Sequence, residues 1–202
     1  MINTIIFDWG GVLIDNPAED LINYCANKIN ADPKELKNIF KEYEKEFQKG
    51  HISEKELWKR ICDKLNLRLP SLKDSLWKEA VKEVFREKPQ IFSLIKKLKD
   101  KGYSLGVLSN TEIPTVEHFF EKKYDEYFDS MTFSCVEKTV KPEKKIYEIA
   151  LKKLCARPEE SIFIDDKPEY IEGAKKVGIN GIVFKDIEGL LKELALYSVR
   201  ID

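Results

Sequence analysis

The feature that most constrains the fold is a change of rhythm along the chain. A short apolar run, Thr4 to Phe7, stops at Asp8 and the pair Gly10-Gly11, as a buried parallel strand entering a tight loop does. From Pro17 to about Arg86 no strand-like run follows. Charged residues there interleave with apolar ones at helical spacing, as in Leu36, Ile39, Phe40, Tyr43 and Phe47. Asp32 before Pro33 with Glu35, and Ser53 with Glu56, are helix-start signals, and the segment predicts four helices. After Pro89 the pattern alternates. Helix Pro89 to Lys101, stopped by Gly102, precedes strand Tyr103 to Leu108 and helix Pro114 to Lys123. Strand Met131 to Ser134, helix Pro142 to Leu154, strand Ser161 to Ile164 and helix Pro168 to Val177 continue it, and strand Gly181 to Phe184 and helix Ile187 to Leu196 close it. Such alternation implies an α/β fold, a parallel sheet covered by helices on both faces. The expected organisation is a core of residues 1–15 and 87–202 with an all-helical cap, residues 16–86, inserted after the first strand.

Composition removes several classes of function. Lys and Arg (35) balance Asp and Glu (36), so the net charge of −1 provides no long-range field for nucleic acid or an anionic membrane. No stretch approaches the roughly twenty apolar residues that span a bilayer. Cys25, Cys62, Cys135 and Cys155 are scattered and form no Cys-x-x-Cys pair, which suits buried thiols in a reducing compartment. A soluble cytoplasmic protein, monomeric by default and without nucleic-acid or membrane partners, is expected.

In an open α/β sheet, ligands collect where the carboxyl ends of the strands meet the loops. Three such ends carry polar residues: Phe7-Asp8-Trp9-Gly10-Gly11, Leu108-Ser109-Asn110-Thr111 and Ile164-Asp165-Asp166. A carboxylate can attack phosphorus only if a cation screens its charge. Asp8 and Asp166 can hold that cation, and magnesium suits two carboxylates plus a backbone carbonyl. Ser109 and Asn110 can hold phosphoryl oxygens, and Lys141 before Pro142 adds a positive charge for them and for orienting Asp8. Singly, each residue has a plainer role as a turn, cap or solvated surface group. Adjacent Asp165-Asp166 is harder to dismiss, because two like charges at a sheet end cost energy unless a cation or donor offsets them.

These four segments, in this order, resemble the haloacid-dehalogenase-like hydrolases. The resemblance implies a Rossmann-like sheet with a helical cap that shapes substrate choice. It makes Asp8 the nucleophile, matches Ser109-Asn110 and Lys141-Pro142 to the second and third motifs, and makes Asp166 a magnesium ligand supported by Asp165. Within the family, Leu108-Ser109-Asn110-Thr111 and Ile164-Asp165-Asp166 followed by Glu172-Gly173-Ala174 resemble sugar-1-phosphate phosphatases and the phosphatase domain of soluble epoxide hydrolases. The implied activity is magnesium-dependent hydrolysis of a small phosphorylated metabolite. Two departures stand out. Gly10 occupies the place of a second Asp that serves the family as general acid and base, leaving only a backbone carbonyl for magnesium. Tyr170 stands where the subgroup usually has Asn or Asp.

The missing acid predicts a preference for leaving groups that depart as stable anions, such as anomeric, acyl or aryl phosphates, with Asp15 a candidate substitute. Two rival readings follow from the same residues. A weakened member would bind a phosphorylated ligand or a protein partner without turnover, and a 2-haloacid dehalogenase would use Asp8 on carbon without metal. Trp9 is expected beside the site and Trp58 and Trp77 in the cap core, with Tyr43 and Phe47 mainly packing. His51 and His118 are expected in surface loops.

Overall fold

The computed structural model describes residues 1–68 and 75–201. Five strands, β1 (Thr4–Phe7), β2 (Ser104–Ser109), β3 (Ser130–Phe133), β4 (Ser161–Asp165) and β5 (Asn180–Val183), form one parallel sheet in the order β3-β2-β1-β4-β5. The chain runs outward from β1 through β2 to β3, then crosses to the other side of β1 for β4 and β5. That reversal leaves a crevice at the carboxyl ends of β1 and β4, where such sheets place their ligands.

The sheet is apolar on both faces because helices cover both. Ile5 and Phe7 of β1, with Leu105, Val107, Ile162 and Ile164, face a core shared with α5 (Pro89–Asp100), α6 (Ile113–Glu121) and α10 (Ile187–Leu196). Ile6, Leu108 and Phe163 point the other way, onto α8 (Lys144–Lys153) and α9 (Pro168–Lys175). The period-two alternation of a strand thus divides one sheet between two cores. A short helix, α7 (Ser134–Glu137), follows β3 directly, so Ser134 belongs to it and not to the strand.

Between β1 and α5 the described residues form four helices, α1 (Ala18–Ile29), α2 (Pro33–Gln48), α3 (Glu54–Leu65) and α4 (Leu76–Val84), which pack around a separate apolar cluster. The start signals operate as expected. Asp32 accepts from the amides of Lys34 and Glu35, Ser53 accepts from that of Glu56, and Pro33 opens α2. Residues 69–74, part of the expected cap, lie outside the described residues. The two connections to the sheet run side by side. Asp15 donates its amide to the Arg86 carbonyl and Lys88 to that of Leu13, at 2.9 Å each.

Most element boundaries shift by a residue or two from the sequence expectation, and two of the shifts have a visible cause. Helix α8 begins at Lys144, because Glu143 donates its amide to the Val140 carbonyl and closes a turn that contains Pro142. Strand β5 begins one residue earlier, at Asn180, whose side chain donates to the carbonyls of Glu159 and Ser161 and secures it against β4.

Candidate active site

Strand register brings the acids together. Phe7 pairs with Ile164, and the Asp8 amide then donates to the Ile164 carbonyl at 2.8 Å, which sets Asp8 beside Asp165. Lys141, 2% exposed, lies between them. Its Nζ is 2.8 Å from Asp8 Oδ1 and 2.6 Å from Asp165 Oδ2. Asp8 Oδ1 also accepts from the Trp9 amide at 2.7 Å, and Asp165 Oδ1 from the Lys167 amide at 2.8 Å. Both oxygens of Asp165 are therefore engaged, so it fixes Lys141 and the loop after β4.

Asp166 is held differently. Its Oδ1 is buried and has no hydrogen-bond partner among the described residues. Asp8, Asp165 and Asp166 each offer an oxygen, and these lie within 4.8 Å of one another. Gly11 makes this approach feasible. At φ +83° it adopts a backbone conformation that favours glycine, and a Cβ there would fall 2.4 Å from Asp166 Oδ2. Three oxygen donors with one orphaned oxygen are a set that a hard divalent cation such as magnesium fits.

Electrostatics agree with that need. Burial pushes the Asp8 carboxyl up to about 7, with the Asp165 charge adding to the rise and Lys141 opposing it. Lys141 itself is held above its ordinary value. Burial opposes its charge, but Asp8 and Asp165 together outweigh that cost. Asp166 is raised by burial and by Asp165. Without a cation, the cluster carries more negative charge than its setting tolerates.

Ser109 and Asn110 also line the crevice, at the end of β2. The Asn110 side chain is committed at both ends: its Nδ2 donates to the Lys141 carbonyl at 3.0 Å and its Oδ1 accepts from the Lys141 amide at 2.8 Å. It aims Lys141. Tyr170 takes the place of the subgroup's usual Asn or Asp by ring and hydroxyl. The Lys141 and Lys167 ammonium groups sit 4.9 and 5.0 Å from its ring centroid, and its hydroxyl is 3.4 Å from Asn110 Nδ2. Lys167 lines the cavity too, a residue the sequence reading passed over although it directly follows Asp166.

The crevice opens into a cavity of about 140 Å³ bounded by Asp8, Trp9 and Gly10 below and by α1, α2 and α4 above. Leu21, Ile22, Phe40, Trp77 and Phe85 supply its apolar wall. Glu112, 6% exposed, also lines it, and burial raises its carboxyl to about 7. Nothing in the local pattern around Glu112 signals this: Thr115 is a neighbour in the same helix start, but Glu44, Gln48 and Trp77, which close the cavity over it, come from α2 and α4.

Several expectations need correction. His118 is not in a loop: it is buried on α6, 5.9 Å from the Phe85 ring, and burial lowers its pKa. His51 does lie exposed beside Glu46. Cys155 is exposed, at positive φ in the turn that ends α8, whereas Cys25, Cys62 and Cys135 are buried. Trp77 belongs to the cap cluster and lines the cavity as well. Phe47 packs edge-on against Trp77, and Tyr43 lies beneath Arg60 and Lys64; neither borders the cavity. Asp15 is exposed, 3.9 Å from Lys88, and is also absent from the lining.

This fold and this set of strand-end acids define a hydrolase of the haloacid-dehalogenase type, and a model of the haloacid dehalogenase-like hydrolase family matches residues 2–178. The chain belongs to that family. It is 28% identical over 192 residues to the sesquiterpene phosphatase astK of Aspergillus oryzae, covering 94% of this chain and 93% of that enzyme. With bifunctional epoxide hydrolase 2 of Rattus norvegicus it shares 28% identity over 102 residues, 48% of this chain but 18% of the rat protein. Among solved structures, an enzyme of the same family from Bacteroides thetaiotaomicron, in complex with magnesium and inorganic phosphate, superposes with a TM-score of 0.76 at 24% identity, covering 94% and 99% of the two chains. At that identity the likeness establishes the fold. No helix among the described residues is long and apolar enough to cross a membrane.

Proposed function

We propose that the protein is a magnesium-dependent phosphatase of a small phosphorylated metabolite, such as a sugar phosphate, working through an aspartyl-phosphate on Asp8. In this reading residues 1–15 and 87–202 carry the chemistry and 16–86 form the cap. The observation that carries it is the arrangement of Asp8, bonded to buried Lys141, next to an Asp166 oxygen that has no partner among the described residues. The names of the relatives support it: a phosphatase along nearly the whole chain, and a structural neighbour holding magnesium and phosphate.

Asp8 and Asp166, with the Gly10 carbonyl, would hold the cation, and Asp165 would fix the loop that carries Asp166. Bound magnesium supplies the positive charge that favours ionised Asp8 and offsets the phosphoryl oxygens. One Asp8 oxygen attacks phosphorus, an Asp8 O–P bond forms, and the bond from phosphorus to the leaving oxygen breaks. Lys141 neutralises charge on the transferring group, and Ser109 holds one of its oxygens. Asn110 keeps Lys141 aimed. Water then cleaves the aspartyl-phosphate and releases phosphate.

Gly10 brings no side chain to the leaving oxygen, and Asp15 does not line the cavity. Side-chain acid catalysis is often worth about 10²–10⁴ in rate, so leaving groups stable as anions should be favoured. The same gap favours one alternative, a phospho-ligand-binding protein without turnover. The triad of acids weighs against a metal-free dehalogenase.

The experiment is hydrolysis of p-nitrophenyl phosphate with magnesium, with chelator, and in Asp8→Asn. Expected are turnover that needs magnesium, a fall of about 10³-fold or more in Asp8→Asn, and far slower cleavage of serine phosphate. Turnover unaffected by chelator or by Asp8→Asn would overturn the proposal.

A further inference from the structure

Among the described residues two cations line the cavity, Lys141 and Lys167, and both come from the core loops beside Asp8 and Asp166. The other side has the opposite character. There α2 contributes Phe40, Glu44 and Gln48, α4 contributes Trp77, and the residue before α6 is Glu112. The Phe40 and Trp77 rings stack at 5.2 Å with 10° between their planes.

Glu112 is buried, yet it is served by neutral donors. Its Oε2 accepts from Thr115 Oγ1 at 3.2 Å, and the Thr115 oxygen accepts from Trp77 Nε1 at 3.2 Å, a relay from cap to core. The Gln48 amide, which donates to Glu44 Oε1 at 3.4 Å, also favours the charged form of Glu112, and half-buried Glu44 opposes it with a second negative charge. It forms no ion pair among the described residues, although ion pairs are frequent elsewhere on the molecule. A buried carboxyl without a cation costs folding energy unless something in the cavity repays it. A ligand ammonium would do so: the apolar walls strengthen its attraction to the carboxylate, and the aromatic faces add to it.

We propose that Glu112 determines specificity for the leaving group, and that the cavity takes phosphomonoesters whose leaving group carries an ammonium. A second phosphate or a carboxylate at that place is rejected by Glu112 and Glu44. This rests on the reading that the phosphoryl group lies against Asp8.

The test compares glucosamine 1-phosphate with glucose 1-phosphate, which differ by an ammonium in place of a hydroxyl. Dissociation constants are measured by calorimetry with magnesium on the Asp8→Asn protein, with and without E112Q, and kcat/KM on the corresponding proteins that keep Asp8. Expected is a preference of about tenfold or more for the amine, falling to within about twofold with E112Q. The near-isosteric change keeps the volume, and an unfolding midpoint at or above the parent's verifies the fold. Equal affinity for the two sugars, or a preference that survives E112Q, would overturn the inference. Absence of turnover alongside an amine preference in the binding data would instead remove the phosphatase reading and leave this one standing.

Discussion

Lys141 sits with both its charge and its stem buried between two carboxylates, and its backbone is pinned at both ends by Asn110. Replacing it by Met keeps much of the volume and strands Asp8 and Asp165 without their cation. Breaking a buried pair in this way costs about 3–5 kcal/mol. Urea unfolding of metal-free Lys141→Met should show a loss of that order, and a change under about 1 kcal/mol would mean that the acids are not held by this lysine. Glu112 gives a pH signature of opposite origin. Its folded pKa of about 7 lies above the ordinary 4.5, so the folded state binds the extra proton between those values. Stability therefore falls as pH rises from about 4.5 to about 7, and E112Q should remove that part of the slope. The gain of the variant over wild type should be near zero below the ordinary value and grow to on the order of 3 kcal/mol at pH 8, as an upper bound. Thermal unfolding across this range checks it; a constant difference would mean that Glu112 ionises normally.

At the scale of elements, what matters is how α2 meets the core. The helix ends at Gln48, whose carbonyl accepts from Ser134 Oγ at 2.6 Å, and Lys49 pairs with Glu143 at 2.9 Å. Gly50 then turns the chain at φ +60°, so close to α7 that a Cβ would stand 2.6 Å from the Cys135 carbonyl. Gly50→Ala must push backbone from backbone, since Cys135 cannot swing away as a flexible side chain would. A loss of about 1–3 kcal/mol is expected from the strained φ and the overpacking. Because α2 carries Phe40, Glu44 and Gln48 into the cavity, KM for p-nitrophenyl phosphate should rise as well. An unchanged melting temperature would show that the contact yields easily.

Across the whole molecule, ion pairs join cap and core around the buried contacts. Lys45 and Lys49 reach Glu143, Lys78 reaches Glu117 and Glu121, and Lys82 reaches Glu121. Most of these side chains are partly exposed, so each pair is worth little and is screened by salt. Raising the ionic strength from about 0.05 to 0.5 M should therefore raise KM severalfold at most, with little change in kcat. A KM indifferent to salt would place the closure energy in the buried contact of Trp77 with Thr115 instead.

The sequence by itself determined the order of elements, the helical insertion and the residues that end β1, β2 and β4, because each rests on local periodicity, capping or glycine placement. Asp8, Ser109, Asp165 and Asp166 were legible as candidates for that reason, and Lys141 by its place before Pro142. The gap at Gly10 was visible only against the family resemblance. What only the tertiary structure decided depends on partners distant in the chain. Asn110 serves Lys141 rather than facing the cavity freely, His118 is buried because Phe85 packs on it, and Tyr170 offers its ring to two lysines. Glu112 is the plainest case. Its neighbours Glu44, Gln48 and Trp77 lie on helices more than thirty residues away in sequence, and only their closure over the sheet turns an ordinary acid into a buried one that awaits a cation.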